Sequence, residues 1–154
     1  MKSVQDDVGR RPHDGAMAQA FTVSRELDRP PGAVWEQLTD WTNAAPWLGV
    51  DSIRAGGPTA VGTELVFCAR GKERRSEIVA VEPGRSVTLR SRQGGVTADY
   101  TYTVEPAGTG SRAILTADVV TSDAWALLGP VIRAAIRRQD SGQLEKLDGA
   151  ATRS

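Results

Sequence analysis

Two tyrosines and one arginine are the side chains of this sequence whose type and spacing could support chemistry. Tyr100 and Tyr102 lie two residues apart in the alternating stretch VTADYTYTVE, which places both on one face of a predicted strand. A tyrosine hydroxyl donates a proton or a hydrogen bond, but it is a poor base at neutral pH. Arg74 shares the inward parity of its own strand, although its position two residues from a turn favours exposure to solvent. The sequence assigns no catalytic residue, and these three are only candidates.

The single histidine and the single cysteine exclude several classes of site. His13 lies in the polar N-terminal segment, so a Ser-His-Asp or Cys-His arrangement would need that segment to fold back onto the domain. One cysteine and one histidine cannot supply the three or four ligands of a zinc site, and neither a metal nor a cofactor is predicted. Cys68 falls on the mixed face of its strand, and we interpret it as a small buried or half-buried residue.

Charge and hydropathy predict a cytoplasmic protein without a nucleic-acid or integral-membrane partner. The 19 basic and 19 acidic residues cancel, so no attraction to nucleic acid is expected. The basic run ARGKERR at 69–75 is interrupted by Glu73, and we interpret it as a solvated hairpin tip. No apolar run approaches the roughly 18 residues that span a bilayer, and the first residues lack the apolar region of a secretory signal. One cysteine fits a reducing compartment.

Hydrophobic periodicity indicates the elements that position these residues. AFTVSREL alternates like a strand, and Val34, Leu38 and Trp41 then recur at helical spacing, with one more helical turn predicted before Pro46. From residue 61 onward, Gly and Pro turns separate short alternating segments at the regular spacing of an antiparallel sheet. GPVIRAAIRRQDSGQLEKL carries apolar residues at helical intervals and predicts a long C-terminal helix.

The same pattern predicts one domain of the α+β class. Residues 1–17 mix charge, Gly and Pro without periodicity, which predicts a flexible extension. Residues 18–148 form the domain, and residues 149–154 are predicted to fray. An antiparallel sheet of about seven strands is expected, with one or two short helices after the first strand and the long helix across one face.

Strand alternation gives this sheet one apolar face that needs a cover. Counting back from the turns predicts one transverse row across five strands, formed by Phe67, Ser76, Ser91, Ala98 and Val119. Small and hydroxylated residues fill space poorly, whereas protein cores are densely packed. We therefore favour a cavity beneath the C-terminal helix. The alternative is a solid core whose tyrosine hydroxyls reach water at the rim.

The chain carries a series of segments in a definite order: VWEQLTDWTNAAPWLGV, then VGTELVF, SEIVAVEPGRSVTLRS, ADYTYTVEP and a terminal helix that ends in LEKLDG. The register of this series resembles the polyketide cyclase/dehydrase-like branch of the START-related (SRPBCC) superfamily. The plant Bet v 1-type proteins share its fold. The resemblance implies a helix-grip fold, in which a curved antiparallel sheet wraps a long C-terminal helix and two short helices close one end. It implies a hydrophobic small molecule in the space between them, although fold alone does not establish function.

The four tryptophans divide between core and cavity. Trp35 and Trp41 are interpreted as core residues that anchor the short helices. Trp47 follows Pro46 in the predicted loop after these helices, where the family often carries an aromatic near the pocket mouth. The sequence therefore does not decide whether Trp47 lines the pocket wall or packs in the core. Trp125 precedes Gly129-Pro130 and is expected to cap the other side of the opening.

Three functions stay open on the sequence. The favoured one is binding of a lipid-like or polyketide-like hydrophobic molecule between sheet and helix. Family members that close polyketide rings are thought to steer and protonate an enol with Arg, Tyr and acidic groups, which implies a cyclase or dehydratase using Tyr100, Tyr102 and Arg74. An interaction module would instead show a filled core and an exposed apolar patch, and a homodimer is left open. The predicted ligand-binding residues are Trp47, Phe67, Ser76, Ile78, Leu89, Ser91, Ala98, Tyr100, Tyr102, Leu128, Ile132, Ala135 and Ile136.

Overall fold

The computed structural model describes residues 18–93, 95–121, 133, 134, 136, 137 and 142–153. In chain order the elements are strand β1 (Ala18–Leu27), helix α1 (Pro31–Leu38), a 3₁₀ helix (Trp41–Asn43), helix α2 (Ala45–Leu48), strands β2 (Ser52–Ala55), β3 (Glu64–Ala69), β4 (Lys72–Glu82), β5 (Ser86–Gln93), β6 (Val96–Ala107) and β7 (Gly110–Thr121), and helix α3 (Gln143–Arg153). The predicted order of one strand, short helices, six further strands and a C-terminal helix is confirmed.

The seven strands form one antiparallel sheet in the order β1-β7-β6-β5-β4-β3-β2. Strands β2 to β7 are therefore sequential neighbours, and β1 closes the far edge by pairing with β7. The register shifts between Gln19 and Phe21 and again between Ile78 and Ala80. Such bulges bend a strand and increase its twist, which gives the sheet its curvature toward the helices.

The turn between β3 and β4 corrects one predicted register. Arg70 and Gly71 both have positive φ, at 55° and 77°, as the two-residue turn of a tight hairpin requires. This turn pairs Phe67 with Arg74 and brings Leu65 opposite Ser76. The transverse row is thus Leu65, Ser76, Ser91, Ala98 and Val119. Phe67 was placed two residues out of register, but a shift of two keeps a side chain on the same face.

The apolar face of the sheet packs against the helices. Helix α1 starts at Pro31, where the missing N–H has no intrahelical partner to lose, and it buries Val34 and Leu38. Helix α3 buries Leu144 and Leu147. The sheet contributes to the same cluster, among others, Phe21, Leu27, Leu65, Ile78, Val87, Val104 and Leu115. The predicted α+β class, with helices on one face of a curved sheet, is confirmed.

Helix α3 is bonded to three other elements. Arg25 Nε of β1 donates to Asp148 Oδ2 at 2.8 Å, and Gln37 Nε2 of α1 donates to the carbonyl oxygen of Leu147 at 3.0 Å. From β6, Tyr102 Oη donates to Gln143 Oε1 at 2.7 Å. These bonds hold the N-terminal half of the helix against the sheet and against α1.

The C-terminal helix differs in extent from the prediction. It continues past Asp148 to Arg153, whereas the sequence predicts a frayed tail from residue 149; the alanines that follow Gly149 are strong helix formers. Of the earlier half of the predicted long helix, residues 133, 134, 136 and 137 are described and helical. The segment 122–132 with Trp125 lies outside the described residues. No helix in the described parts of the chain combines the length and apolarity needed to cross a membrane.

Candidate functional site

A cavity of about 570 Å³ lies between the inner face of the sheet and the helical side of the molecule. Leu65, Phe67 and Leu89 give its sheet wall an apolar surface, and Leu48 of α2 and Ile136 contribute from the helical side. Sites for small molecules usually enclose about 300 to 1,000 Å³ and are lined mainly by apolar groups. The fold therefore leaves space of the size that a small apolar guest requires.

Most of the predicted ligand-binding residues that the structure describes line this cavity. They are Phe67, Ser76, Leu89, Ser91, Ala98, Tyr100, Tyr102 and Ile136. The catalytic candidate Arg74 lines it as well. Leu128, Ile132 and Ala135 lie outside the described residues. For the residues that line the cavity and for these three alike, a role in ligand binding stays a prediction.

Trp47 and Ile78 do not line this cavity, and a role of either in ligand binding stays a prediction. Trp47 lies within helix α2 and not in a loop, because Pro46 occupies the first turn of that helix, where proline is tolerated. Its ring is 1% exposed and meets the ring of Tyr102 edge-on, with centroids 5.7 Å apart. Ile78 lies one inward position beyond Ser76 on β4 and is fully buried. Both residues support the cavity wall from the core.

The other tryptophans of the described chain also belong to the core region. Trp41 is buried, and its Nε1 donates a hydrogen bond to Thr59 Oγ1 at 3.0 Å. Trp35 is partly buried and packs against the same cluster. The interpretation as a core residue is confirmed for Trp41, whereas Trp35 packs at the edge of the core.

Two serines supply polar groups within the cavity wall. Ser76 of β4 and Ser91 of β5 are directly opposite in the sheet, and their Oγ atoms lie 2.6 Å apart in a hydrogen bond. One bond between two hydroxyls uses one of their two hydrogens. The pair can therefore donate one further hydrogen bond to a guest and accept others from it.

Tyr102 joins the cavity wall to helix α3. Its hydroxyl and the side-chain oxygen of Gln143 are both buried and form the 2.7 Å bond already described. Sequence reasoning missed Gln143, although its position four residues before Leu147 on the helix was a signal for an inward face. Because the Tyr102 hydrogen is engaged, this hydroxyl protonates a guest only if the bond to Gln143 breaks.

Tyr102→Phe is expected to lower the free energy of unfolding by about 1–2 kcal/mol, since a buried acceptor loses its donor. A double-mutant cycle with Gln143→Leu, followed by urea unfolding, isolates the coupling, which we expect to exceed about 0.5 kcal/mol. Additive effects of the two single substitutions would show that the bond contributes nothing.

Three cationic side chains also line the cavity: Arg70, Arg74 and Lys146. Arg74 is half-buried, and the other two are exposed, which places the group at the cavity rim. Lys146 Nζ lies 3.7 Å from the position that a Cβ on Gly49 would occupy, beside the C-terminus of α2. Sequence reasoning left Arg70 and Lys146 out of the site, because both are on turns or faces that are normally solvated. Their place at the cavity depends on tertiary packing.

Metal-binding chemistry has no candidate in the part of the chain that the structure describes. No group of three or more His, Cys, Asp or Glu side chains is close enough there to hold an ion. The polar side chains of the described residues that line the cavity are hydroxyls, the Gln143 amide and the three cations.

Comparison with protein-family models matches residues 18–151 to the family described as polyketide cyclase / dehydrase and lipid transport. The match covers nearly the whole described chain. No curated protein matches the sequence at a significant level.

Solved structures share the fold at low sequence identity. Ara h 8.0201 is 18% identical, with a TM-score of 0.69 over 90% of this chain and 100% of that one. Norcoclaurine synthase from Thalictrum flavum, solved with dopamine and hydroxybenzaldehyde, is 14% identical, with a TM-score of 0.66 over 94% of each chain. The di-domain ARO/CYC protein StfQ of the steffimycin biosynthetic pathway is 11% identical, with a TM-score of 0.67 over 86% of this chain and 50% of that one. At these identities the likeness shows the fold alone.

Proposed function

The chain belongs to the polyketide cyclase/dehydrase and lipid transport family, and on that premise we propose that its cavity binds a hydrophobic small molecule of lipid-like or polyketide-like chemistry. The observation that carries the proposal is the cavity of about 570 Å³ between sheet and helices. Its walls present leucine, phenylalanine and alanine side chains, and transfer of apolar surface from water to such walls contributes roughly 25 cal/mol per Å². The Ser76–Ser91 pair gives an orienting contact to one polar group of the guest.

Thermal unfolding tests the proposal directly. A ligand that binds only the folded chain stabilises it by about 2.7 kcal/mol at a concentration one hundred times its Kd. For a domain of this size we expect Tm to rise by roughly 5–10 °C. The measurement is a thermal scan against a panel of fatty acids, fatty alcohols and aromatic polyketide mimics. Native mass spectrometry of protein from its own cells identifies any molecule that co-purifies. A flat Tm across the panel together with no bound mass would contradict the proposal.

A second candidate function is a cyclase or dehydratase of the polyketide type. The observation in its favour is that Arg74, Tyr100 and Tyr102 all line the cavity. Either tyrosine is a candidate proton donor, and Arg74 is the group placed to stabilise an enolate oxygen. Turnover of a linear polyketide mimic that is lost in Tyr100→Phe or Tyr102→Phe, while binding of the mimic is retained, would support this function over simple binding.

An interaction module without a ligand receives less support. That function predicts a filled core and an exposed apolar patch. Within the described residues a cavity remains between the sheet and the helices, and Val61 is the one large hydrophobic side chain that is exposed, at 66%. An isolated apolar residue of this kind is ordinary on a protein surface. The cytoplasm as compartment and a homodimer as assembly are part of the proposal, and cell fractionation and light scattering test them.

A further inference from the structure

Charge is distributed unevenly around the cavity. Among the described residues, the cavity lining includes three cations, Arg70, Arg74 and Lys146. The same set of lining residues contains no aspartate and no glutamate. The whole chain, in contrast, carries equal numbers of basic and acidic residues. As far as the described residues line it, the cavity is therefore a cationic site on a chain with no net charge, and such a site raises the local concentration of anions.

On the opposite face of the same sheet, the arginines form ion pairs with carboxylates. Arg75, one residue after Arg74 on β4, bonds to Glu64 at 2.9 Å and to Glu73 at 2.8 Å. The charge of Glu64 and its hydrogen bond raise the pKa of Arg75. Arg90 of β5 bonds to Asp99 at 2.7 Å. Carboxylates on neighbouring strands thus compensate the outer-face arginines, whereas no described carboxylate forms an ion pair with the three cations at the cavity.

Polarity falls steadily from the rim to the interior along β4. Its inward-facing positions are Arg74, which is half-buried, then Ser76, which is 7% exposed, then Ile78, which is fully buried. Successive inward positions on a strand are about 6.6–6.8 Å apart. A charged rim and a hydroxyl pair therefore follow one another along this strand, and Leu89, which pairs with Ile78 from β5, gives the cavity an apolar wall beyond them. The order matches a molecule with an anionic head, a polar linkage and an apolar tail.

We propose that the guest is an amphipathic anion, whose carboxylate or phosphate head binds Arg70, Arg74 and Lys146 while its tail lies against the apolar cavity wall. This inference rests on the proposed function and names the chemical class of its ligand. Arginine presents a planar fork of donors that matches carboxylate and phosphate oxygens, and lysine adds a mobile point charge. A neutral guest leaves three like charges uncompensated at the rim, whereas an anionic head compensates them.

Four probes, each built on a ten-carbon chain, separate the contribution of the head from that of the tail. Decanoate and decyl phosphate carry the two anionic heads, decanol is neutral, and decyltrimethylammonium is a cation. Calorimetric titration at low salt, below the micelle concentration of each probe, gives the four values of Kd. We expect one or both anions to bind at least about tenfold tighter than decanol, because hydrogen bonds to an ionised acceptor are roughly twice as strong as neutral ones. The ranking of decanoate and decyl phosphate indicates which head the site prefers.

Substitution of the rim cations assigns the preference to them. Arg74→Gln and the double variant Arg70→Gln/Lys146→Gln are each expected to reduce the anion-to-decanol ratio at least fivefold, roughly the contribution of one charge-assisted contact. Arg75→Gln is the matched control, since it removes the same charge from the adjacent residue on the outer face, and it should leave the ratio unchanged. Higher salt should lower the ratio in the unaltered protein, because exposed charges are screened.

The outcomes distinguish this inference from the function on which it rests. Equal binding of the anions, decanol and the cation overturns the anionic head but keeps a cavity for apolar guests. Tightest binding of the cation overturns it as well. An anion preference that Arg75→Gln reduces as much as Arg74→Gln would show a general charge effect and overturns the assignment to the rim. Failure of all four probes to bind counts against both the inference and the proposed function.

Discussion

Ala98→Phe is expected to abolish ligand binding and leave the fold intact. Ala98 lies on the inner face of β6, in register with Ser91 and Val119, and it lines the cavity. A phenyl ring built there enters the space that the guest would occupy, so the loss of affinity should be about 100-fold or more, or about 2.7 kcal/mol. Because the ring displaces no protein atoms, the free energy of unfolding should change by less than about 1 kcal/mol.

Ala117→Phe is the matched control for this prediction. Ala117 is the diagonal neighbour on β7, in register with Tyr100 and Phe21, and it is fully buried without lining the cavity. The same added ring overpacks a dense core there and should cost about 1–3 kcal/mol or more of stability. Urea unfolding of both variants, with titration of any ligand that raises the Tm of the unaltered protein, checks the pair. Equal destabilisation by the two substitutions would mean that the cavity closes in solution.

Trp47→Ala is expected to destabilise the protein by about 3–5 kcal/mol, since it removes a large buried ring. The ring contacts Tyr102 edge-on, and such aromatic pairs contribute about 0.5–1.5 kcal/mol beyond area burial. Chemical unfolding followed by circular dichroism measures the change.

Trp47→Phe provides a milder companion variant. The indole Nε1 of Trp47 is buried and has no hydrogen-bond partner among the described residues, and an unpaired buried donor is itself destabilising. Phenylalanine removes that donor and keeps an aromatic ring, so we expect a loss of only about 1–2 kcal/mol. If Trp47→Ala cost less than about 1 kcal/mol, the ring would not belong to the core.

The sequence was most informative where one rule decides the geometry. Strand alternation and turn positions were enough to place Ser76, Ser91 and Ala98 in one row, because every tight hairpin fixes its own register. Phe67 was misplaced by two positions, since Gly71 marks a turn without saying that Arg70 is the other turn residue. Pro46 was interpreted as the end of the helical segment, although proline is also well tolerated in the first turn of a new helix.

Other features depend on contacts that periodicity does not encode. The bulge between Ile78 and Ala80 reverses the faces of β4, so Ala80 is exposed and Val81 is half-buried against Val87. A bulge adds one residue to one strand and leaves no mark in composition. Lys146 likewise has the spacing of a solvated helix position, and only the packing of α3 beside α2 brings it to the cavity.

The bonds that hold α3 have a consequence for how this protein unfolds. A helix of 11 residues is marginal in isolation, because nucleation is costly and few hydrogen bonds follow it. Its order therefore derives from tertiary contacts, namely the burial of Leu144 and Leu147 and the bonds to Arg25, Gln37 and Tyr102, which lie on elements far from the helix in sequence. We therefore expect this terminal segment to unfold together with the central strands and not before them.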